Sequence, residues 1–393
     1  MRPDKQETFI SKVTDESYTR FREELDAWLG MKIEYRVCEM PIFVSTDFRE
    51  RMEVAAREII MQCCSPEAMV RTEKTLEDRY RVPDETPRPL FSVVDFAVVE
   101  DSVGGYKPQL IELQGFPSLF GYQHLLVKEF MMQYGLEGTP FMGGLDEDQY
   151  LSILREAIFS NQDPEECALI EIDPDHQKTR PDFLALERFI GLQTVDIRSL
   201  EVDAGRVFVS INGRKRRLKR LFNRAIIDEL DDLEVTLPFH WNDRLDVEWA
   251  GHPNWYFRIS KFSMPFLDHW SVPKTHFVDE LAELASDLNG FVLKPLYSFA
   301  GKGVNVNPTA GDVEGIPVDE RHNWILQEKV HYAPCIATPR GLNKVEIRVM
   351  LVWLPSWPEP RCVMSLARTG RGALMGARYN TDPWTGSSGC LFD

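Results

Sequence analysis

The chain has 393 residues, of which 43% are hydrophobic and 27% are charged, which is typical of a globular protein with two or three domains. Its 62 acidic residues outnumber its 45 basic residues, and the net charge of −17 disfavours nucleic acid and anionic membranes as general partners. No segment is apolar for the roughly 18 residues of a membrane span. The first residues also lack the apolar core of a signal peptide. A small anionic ligand stays compatible with this charge, because a local basic pocket can oppose it.

The cysteine pattern predicts reduced thiols in a cytoplasmic protein. The seven cysteines are scattered, odd in number and without a C-x-x-C pair. A disulfide framework or a zinc site would use paired, regularly spaced cysteines.

The first 160 residues predict helices around a β-hairpin. Thr14 and Gly30 bracket an amphipathic run, and a second helix is predicted at 47–63. Strands are predicted at 91–99 and 109–113, joined by a turn at Gly104-Gly105. Two more segments have helical patterns, at 121–134 and 146–160.

Short strands then alternate with helices, which predicts an open α/β sheet in residues 166–250. We expect this region to be a Rossmann-like domain. The basic cluster at 214–220 is interpreted as a solvated hairpin. Further strands are predicted at 291–295, 324–330 and 345–353, and the stretch 377–393 is predicted to be a ligand-contacting loop.

A phosphate-binding segment is indicated at residues 291–304, with the sequence FVLKPLYSFAGKGV. A buried strand delivers Lys294 at its end, and the small residues that follow let backbone N–H groups approach phosphate oxygens. The segment is not a P-loop, because GxxxxGK[ST] is absent. A glycine turn beside a surface lysine is the alternative interpretation of this segment alone.

Charged and amide side chains follow on later apolar strands. Gln327 and Glu328 end one strand, and Glu346 and Arg348 lie two apart on one face of the next. Near the N-terminus, Asp95 lies on the first hairpin strand, and Glu112 and Gln114 lie on the second.

This set of motifs resembles the ATP-grasp enzymes, with the metal-binding strands placed first and the phosphate loop placed near the end. The arrangement is similar to circularly permuted families such as the glutathionylspermidine synthetase-like proteins. Gln114 departs from the pattern, in which asparagine is usual. The implied fold is α+β with α/β parts, an ATP-grasp fold in circularly permuted order with a central Rossmann-like pre-ATP-grasp domain.

The resemblance also implies site residues and the cofactors ATP and Mg²⁺. The metal ligands are expected to be Asp95, Glu112 and Gln114. The catalytic residues are expected to be Arg348, Arg368 and Asn380. The nucleotide-binding residues are expected to be Lys261, Lys294, Ser298, Ala300, Gly301, Lys302, Gly303, Gln327, Glu328 and Val330.

Three domains are expected, with substrate binding in the middle one. Residues 1–135 would supply N-terminal helices and the metal-binding strands, 136–250 the substrate domain, and 251–393 the nucleotide-binding lobes. Asn223 and Arg224 follow a strand of the central domain, where a ligand crevice is common, and are expected to hold a substrate carboxylate.

The expected activity is an ATP-dependent carboxylate–amine ligase acting through an acyl phosphate, with small-molecule carboxylate and amine substrates. A phosphotransferase on the same scaffold is the alternative enzyme. A nucleotide-binding regulatory protein without turnover is the third interpretation, to which Gln114 lends weight. The sequence indicates neither the two substrates nor an oligomeric state.

Overall fold

A computed structural model of the chain describes residues 1–281, 287–297, 301–376 and 379–393, except for the side chains of residues 228, 229 and 232. Its helices are α1 (Pro3–Ile10), α2 (Asp15–Leu29), α3 (Thr46–Cys63), α4 (Pro66–Thr72), α5 (Phe120–Tyr134), α6 (Glu147–Phe159), α7 (Arg180–Ile190), α8 (Ile227–Asp232), α9 (Asn254–Arg258) and α10 (Ala310–Glu314). The strands are β1 (Ile42–Val44), β2 (Phe91–Glu100), β3 (Tyr106–Gln114), β4 (Cys167–Glu171), β5 (Gln193–Asp196), β6 (Leu200–Asp203), β7 (Arg206–Ile211), β8 (Arg214–Leu218), β9 (Arg220–Asn223), β10 (Glu248–Ala250), β11 (Thr275–Phe277), β12 (Phe291–Pro295), β13 (Trp324–Glu328), β14 (Ile336–Thr338), β15 (Gly341–Val352), β16 (Arg361–Gly370), β17 (Gly386–Ser388) and β18 (Cys390–Phe392).

Helix α2 shows how local chemistry fixes an element boundary. Thr14 and Ser17 exchange side-chain and backbone hydrogen bonds in a capping box at the N-terminus. Gly30 adopts a left-handed conformation with φ of 70° at the C-terminus, which glycine accommodates without strain. The predicted helix is confirmed at both ends.

The largest sheet joins the two ends of the chain. Its strand order is β17-β16-β15-β2-β3, and the pairings along this path are antiparallel. The hairpin β2–β3 therefore lies beside strands that follow it by more than 200 residues. The segment near 91–123 and the segment near 330–390 therefore share one sheet.

Strand β2 is buried on both faces, and its alternate side chains enter different cores. Val94 and Phe96 pack in the core that includes Ile59 of α3. Phe91 and Val93 belong to the core shared with the central sheet, where the rings of Phe91 and Phe222 are 5.3 Å apart. The face of β2 that carries Val93 also carries the next alternate residue, Asp95.

A separate parallel sheet occupies the centre of the chain, with the strand order β10-β9-β4-β5. Parallel pairing follows from strands that alternate with helices, as the sequence pattern indicates. Strands β6 to β8 form a small antiparallel sheet beside it. The predicted solvated hairpin at the basic cluster is borne out for β8, whose charges pair with acidic neighbours, as in Lys215–Glu201 and Arg217–Asp246. Arg220 is instead buried in β9.

A third sheet, with the order β11-β13-β12, carries the predicted phosphate-binding strand. Strand β12 spans the predicted residues 291–295 and pairs antiparallel with β13. Glycines 301 and 303 both have φ of 74°, which explains why residues without a Cβ stand there.

The predicted loop at 377–393 is corrected in part. Residues Gly386–Ser388 pair with β16, and Cys390–Phe392 pair in parallel with β1, so this part of the segment is buried sheet. Residues 377 and 378 lie outside the described residues. Strand β16 itself was not predicted, because its sequence RCVMSLARTG mixes polar with apolar residues on both faces.

A helix-packing glycine gives a first testable prediction. A Cβ at Gly121 would lie 2.8 Å from Leu186 Cγ and 2.9 Å from Leu186 N, because α5 crosses α7 closely there. We expect Gly121→Ala to reduce the free energy of unfolding by about 1–3 kcal/mol, from overpacking. Urea denaturation would measure it. Gly311→Ala is the matched control, since its Cβ meets only Thr309 Oγ1 at 3.8 Å, and equal effects would contradict the prediction.

All seven cysteines lie in the described part of the chain, and all are free thiols. Among the described residues, no helix has both the length and the hydrophobicity to cross a membrane.

Candidate active site

A row of charged side chains crosses four strands on one face of the largest sheet. Asp95 on β2 lies directly opposite Glu112 on β3 and Arg348 on β15. Glu346, two residues before Arg348, lies opposite Arg368 on β16. Directly opposed residues share a face, and so do residues two apart on one strand, so the register brings all five together.

Asp95 is held by two arginines. Its Oδ1 accepts from Arg348 Nε at 2.6 Å, and its Oδ2 accepts from Arg348 Nη2 at 2.7 Å and Arg368 Nη2 at 2.5 Å. Burial alone would raise the pKa of Asp95, but the two guanidinium groups outweigh it and hold the pKa below its ordinary value. Asp95 is therefore an ionised carboxylate that accepts three charge-assisted hydrogen bonds.

Glu112 lies beside two lysines. Lys261 Nζ is 3.3 Å from Glu112 Oε1, and Gln114 Nε2 donates to the same oxygen at 3.1 Å. Burial would raise the pKa of Glu112, but the positive charges of Lys261 and Lys294 hold it below its ordinary value. The carboxylate is thus ionised and faces cations.

Lys294 and Gln327 dock the third sheet onto strand β3. Lys294 Nζ donates to the carbonyl oxygen of Ile111 at 2.9 Å, and Gln327 Nε2 donates to that of Leu110 at 3.3 Å. Burial lowers the pKa of Lys294 to about 8, and the negative charge of Glu112 opposes this only in part. Lys294 is therefore a cation at neutral pH, close to its titration range.

Glu346 extends the charged row. Its Oε1 is 2.6 Å from Arg368 Nη2, and its Oε2 accepts from the hydroxyl of Tyr332 at 2.7 Å. Burial raises the pKa of Glu346, Arg368 offsets this in part, and the negative charges of Asp95 and Glu112 raise it further. An additional cation near these carboxylates would relieve their mutual repulsion.

The carboxyl ends of the central parallel strands form the opposite wall of the site. Arg224 follows β9 and donates from Nη1 to Asp182 Oδ2 at 3.0 Å, and Glu171 ends the neighbouring β4. The Nε of Arg224 is buried without an acceptor among the described residues. Asp182 also accepts from the backbone N–H of Gly121 and Tyr122, which ties Arg224 to the start of α5.

These walls enclose a cavity of about 620 Å³. Within the described residues, eight lysine and arginine side chains and three glutamates line it, so the local charge is positive although the chain carries −17. Residues from β3, β12, β13, β15 and β16 face it together with Arg224. The cavity suits an anion that is large enough to reach from the lysines to Arg224.

The structure brings most of the expected site residues to this cavity. They are Glu112, Gln114, Arg224, Lys261, Lys294, Gly301, Gln327, Val330, Arg348 and Arg368. Ser298 and Ala300 lie outside the described residues.

Several expected residues are placed elsewhere. Glu328, Lys302 and Gly303 are exposed and do not line the cavity. Asn380 is buried and donates to the carbonyl oxygens of Leu374 and Gly376, so it shapes its own loop. Asn223 exchanges hydrogen bonds with the backbone of Ala225 in the same manner.

Glu346 and Tyr332 are among the cavity residues to which the sequence assigned no role. Glu346 was noted beside Arg348, and its two-residue spacing on the strand was the available signal. Tyr332 had none, because its contact with Glu346 is made by a loop whose path the sequence pattern does not predict.

Comparison with known proteins agrees with this architecture. No family model and no curated protein sequence matches the chain. Among solved structures, it is similar to the glutathione synthetase-like effector GSS30 from Globodera pallida in its apo form. The chain has a glutathione synthetase-like fold. The two chains are 11% identical, with a TM-score of 0.55 over 97% of this chain and 98% of the other, so the likeness concerns the fold.

The residues of this glutathione synthetase-like fold fit a nucleotide phosphate chain. Lys261 and Lys294 supply point charges, and the buried Nε of Arg368 has no acceptor among the described residues.

The fit to a magnesium ion rests on oxygen donors. Within the described ranges, no three acidic, histidine or cysteine side chains form a complete protein-only metal site. Mg²⁺ is commonly held by one or two carboxylates together with substrate phosphates and waters. Glu112 and the amide oxygen of Gln114 meet that requirement.

Proposed function

We propose that this chain is an ATP-dependent ligase that joins a carboxylate to an amine through an acyl phosphate. The observation that carries the proposal is the convergence of Lys261, Lys294 and Glu112 in one positively charged cavity. Lys294 follows Glu112 by 182 positions in the sequence. In the fold, Lys294 Nζ donates to the carbonyl oxygen of Ile111, the residue before Glu112. The fold shared with a glutathione synthetase-like effector supports the proposal. The proposal includes the circularly permuted order of the ATP-grasp motifs in this chain.

Nucleotide binding is assigned to the lysine end of the cavity. Lys261 and Lys294 would contact phosphate oxygens, and the backbone near Gly301 would approach them closely because no Cβ intervenes. Gln327 and Val330 would contact the adenine base of ATP. The residues Ser298 and Ala300 keep the same proposed role.

Glu112 and Gln114 would hold Mg²⁺ together with the phosphates. When bound, the ion neutralises phosphate charge and orients the transferred group. Glu112 supplies the negative charge and Gln114 a neutral oxygen two residues on, on the same face of β3. Glutamine keeps the amide carbonyl that asparagine would supply, on a side chain one methylene longer.

The arginines would serve the reacting groups. Arg348 and Arg368 would stabilise negative charge on the transferred phosphoryl group. Arg224 would bind a carboxylate of the substrate, for which its planar guanidinium is suited. The acyl phosphate would then lose phosphate as the amine attacks the acyl carbon. Positioning and charge neutralisation account for this chemistry, and no covalent enzyme nucleophile is needed.

A product assay tests the proposal. The protein is incubated with MgATP and a panel of small carboxylates, with and without amines, and ADP, phosphate and coupled product are measured. A ligase gives ADP, phosphate and product in equal amounts, and product requires the amine. A phosphorylated product without an amine would indicate a phosphotransferase. Nucleotide binding without ADP release would indicate a regulatory protein, and either result would contradict a ligase.

The pKa of Lys294 predicts pH-dependent nucleotide binding. Below about pH 8 the lysine is protonated and attracts phosphate, whereas above that pH it loses its charge. We expect the affinity for ATP to fall by up to about tenfold per pH unit above pH 8. Calorimetric titration from about pH 7.5 to 9.5 would measure it. Lys294→Arg stays charged in this range, so a matching decline in that variant would contradict the assignment.

A further inference from the structure

Asp95 occupies the centre of the charged row, but its surroundings differ from those of a metal ligand. Three charge-assisted hydrogen bonds from Arg348 and Arg368 reach its two oxygens, at 2.5 to 2.7 Å. An ionised carboxylate has about four lone-pair sites, so most of them are already used. A divalent cation at Asp95 would have to displace a guanidinium and stand beside both arginine charges.

The two arginines are held on more than one side. Arg348 lies opposite Asp95 in the strand register, and its Nε and Nη2 donate to the two carboxylate oxygens as a fork. Arg368 forms ion pairs with both Asp95 and Glu346, and Glu346 also accepts a hydrogen bond from the hydroxyl of Tyr332. Both arginines line the cavity, whereas Asp95 lies behind them and is 1% exposed.

We propose that Asp95 is a positioning residue that fixes Arg348 and Arg368 in the cavity wall, and that it is not a magnesium ligand. This role rests on the proposed function, because it assigns the two arginines to the transferred phosphoryl group. Arginine side chains lose rotamer freedom when they bind a ligand. Asp95 imposes that order before the substrate arrives, so the N–H groups that Asp95 does not engage are already placed for an anion.

The test separates metal binding from turnover. In Asp95→Asn, we expect Mn²⁺ binding with a non-hydrolysable ATP analogue, followed by electron paramagnetic resonance, to stay within about twofold of the wild type. We expect kcat for ADP release to fall about 10²-fold, with a smaller change in KM for ATP, because misplaced arginines act mainly on the transition state. Glu112→Gln is the comparison and should lose Mn²⁺.

Asp101→Asn is the matched control. It breaks a different Asp–Arg pair, in which Arg51 Nη2 of α3 lies 3.1 Å from Oδ2 of Asp101 in the turn of the hairpin, away from the cavity. Both readouts should stay at wild-type values in this variant. If Asp95→Asn does not fold, Arg348→Lys tests the same contact, since lysine keeps the charge but cannot donate as a fork. It should likewise keep Mn²⁺ and lose kcat.

The outcomes are distinguishable. Loss of Mn²⁺ in Asp95→Asn, as in Glu112→Gln, would make Asp95 a ligand and overturn the inference while the proposed function stands. Wild-type kcat in Asp95→Asn or in Arg348→Lys would also overturn it. A wild-type protein that binds no Mn²⁺ with the nucleotide analogue would overturn the proposed function itself, and the role of Asp95 with it.

Discussion

Replacing Glu112 by glutamine is expected to reduce ADP production about 10²-fold or more at every Mg²⁺ concentration. The substitution removes a full negative charge where Lys261, Lys294 and the metal would meet, and oriented charge stabilisation is typically worth a few kcal/mol. Steady-state kinetics across a Mg²⁺ titration would measure the loss.

The same variant should separate metal binding from phosphate binding. Without the carboxylate, Lys261 and Lys294 lose a negative neighbour, so the affinity for metal-free ATP should be equal to or higher than that of the wild type. Gln114→Asn keeps the amide carbonyl and should change turnover only mildly. Glu100→Gln, at the exposed end of β2, controls for a simple loss of charge. Wild-type ADP production in Glu112→Gln would place the metal elsewhere.

The Lys294→Ala variant is expected to lose detectable turnover and to bind ATP more weakly. Lys294 is buried at the end of β12, and its ammonium faces the cavity beside strand β3. A charge-assisted contact to phosphate is worth about 1.5–3 kcal/mol, which corresponds to a loss of affinity of about 10- to 150-fold. Calorimetric ATP titration and an ADP assay would measure the two effects.

The control for this variant is Lys107→Ala, on β3 at the other end of the hairpin and outside the cavity lining. It should bind ATP as the wild type does. A melting temperature for Lys294→Ala close to that of the wild type would show that the fold is intact. Unchanged ATP affinity in that folded variant would mean that Lys294 serves the docking of β12 onto β3 and no ligand.

The elements that sequence reasoning predicted well have strong local signals. Strand β12 is an apolar run bounded by Gly290 and Pro295, and its ends were predicted to the residue. The hairpin β2–β3 was predicted from two apolar runs and a glycine turn, and α2 from its cap residues. Each of these signals lies within a few residues of the boundary that it predicts.

The features that escaped prediction depend on strand register between distant segments. Arg348 meets Asp95 because β15 pairs with β2 across 253 positions, and a shift of one residue would turn either side chain to the other face. The motif therefore indicated that Asp95 belongs to the site but not which group it contacts. Asn380 escaped prediction for a different reason. Its hydrogen bonds to the carbonyl oxygens of Leu374 and Gly376 lie within its own loop, and the site motif gives no information about contacts of this kind.

One measurement tests the central claim that Glu112 and Lys294 belong to one metal–nucleotide site. The protein is crystallised with a non-hydrolysable ATP analogue and Mn²⁺, and the anomalous difference map locates the metal. We expect a peak about 2.1 Å from a carboxylate oxygen of Glu112, with the phosphates in contact with Lys294 Nζ. A metal–triphosphate site more than about 10 Å from Glu112 would contradict the claim, because no direct ligand bond spans that distance.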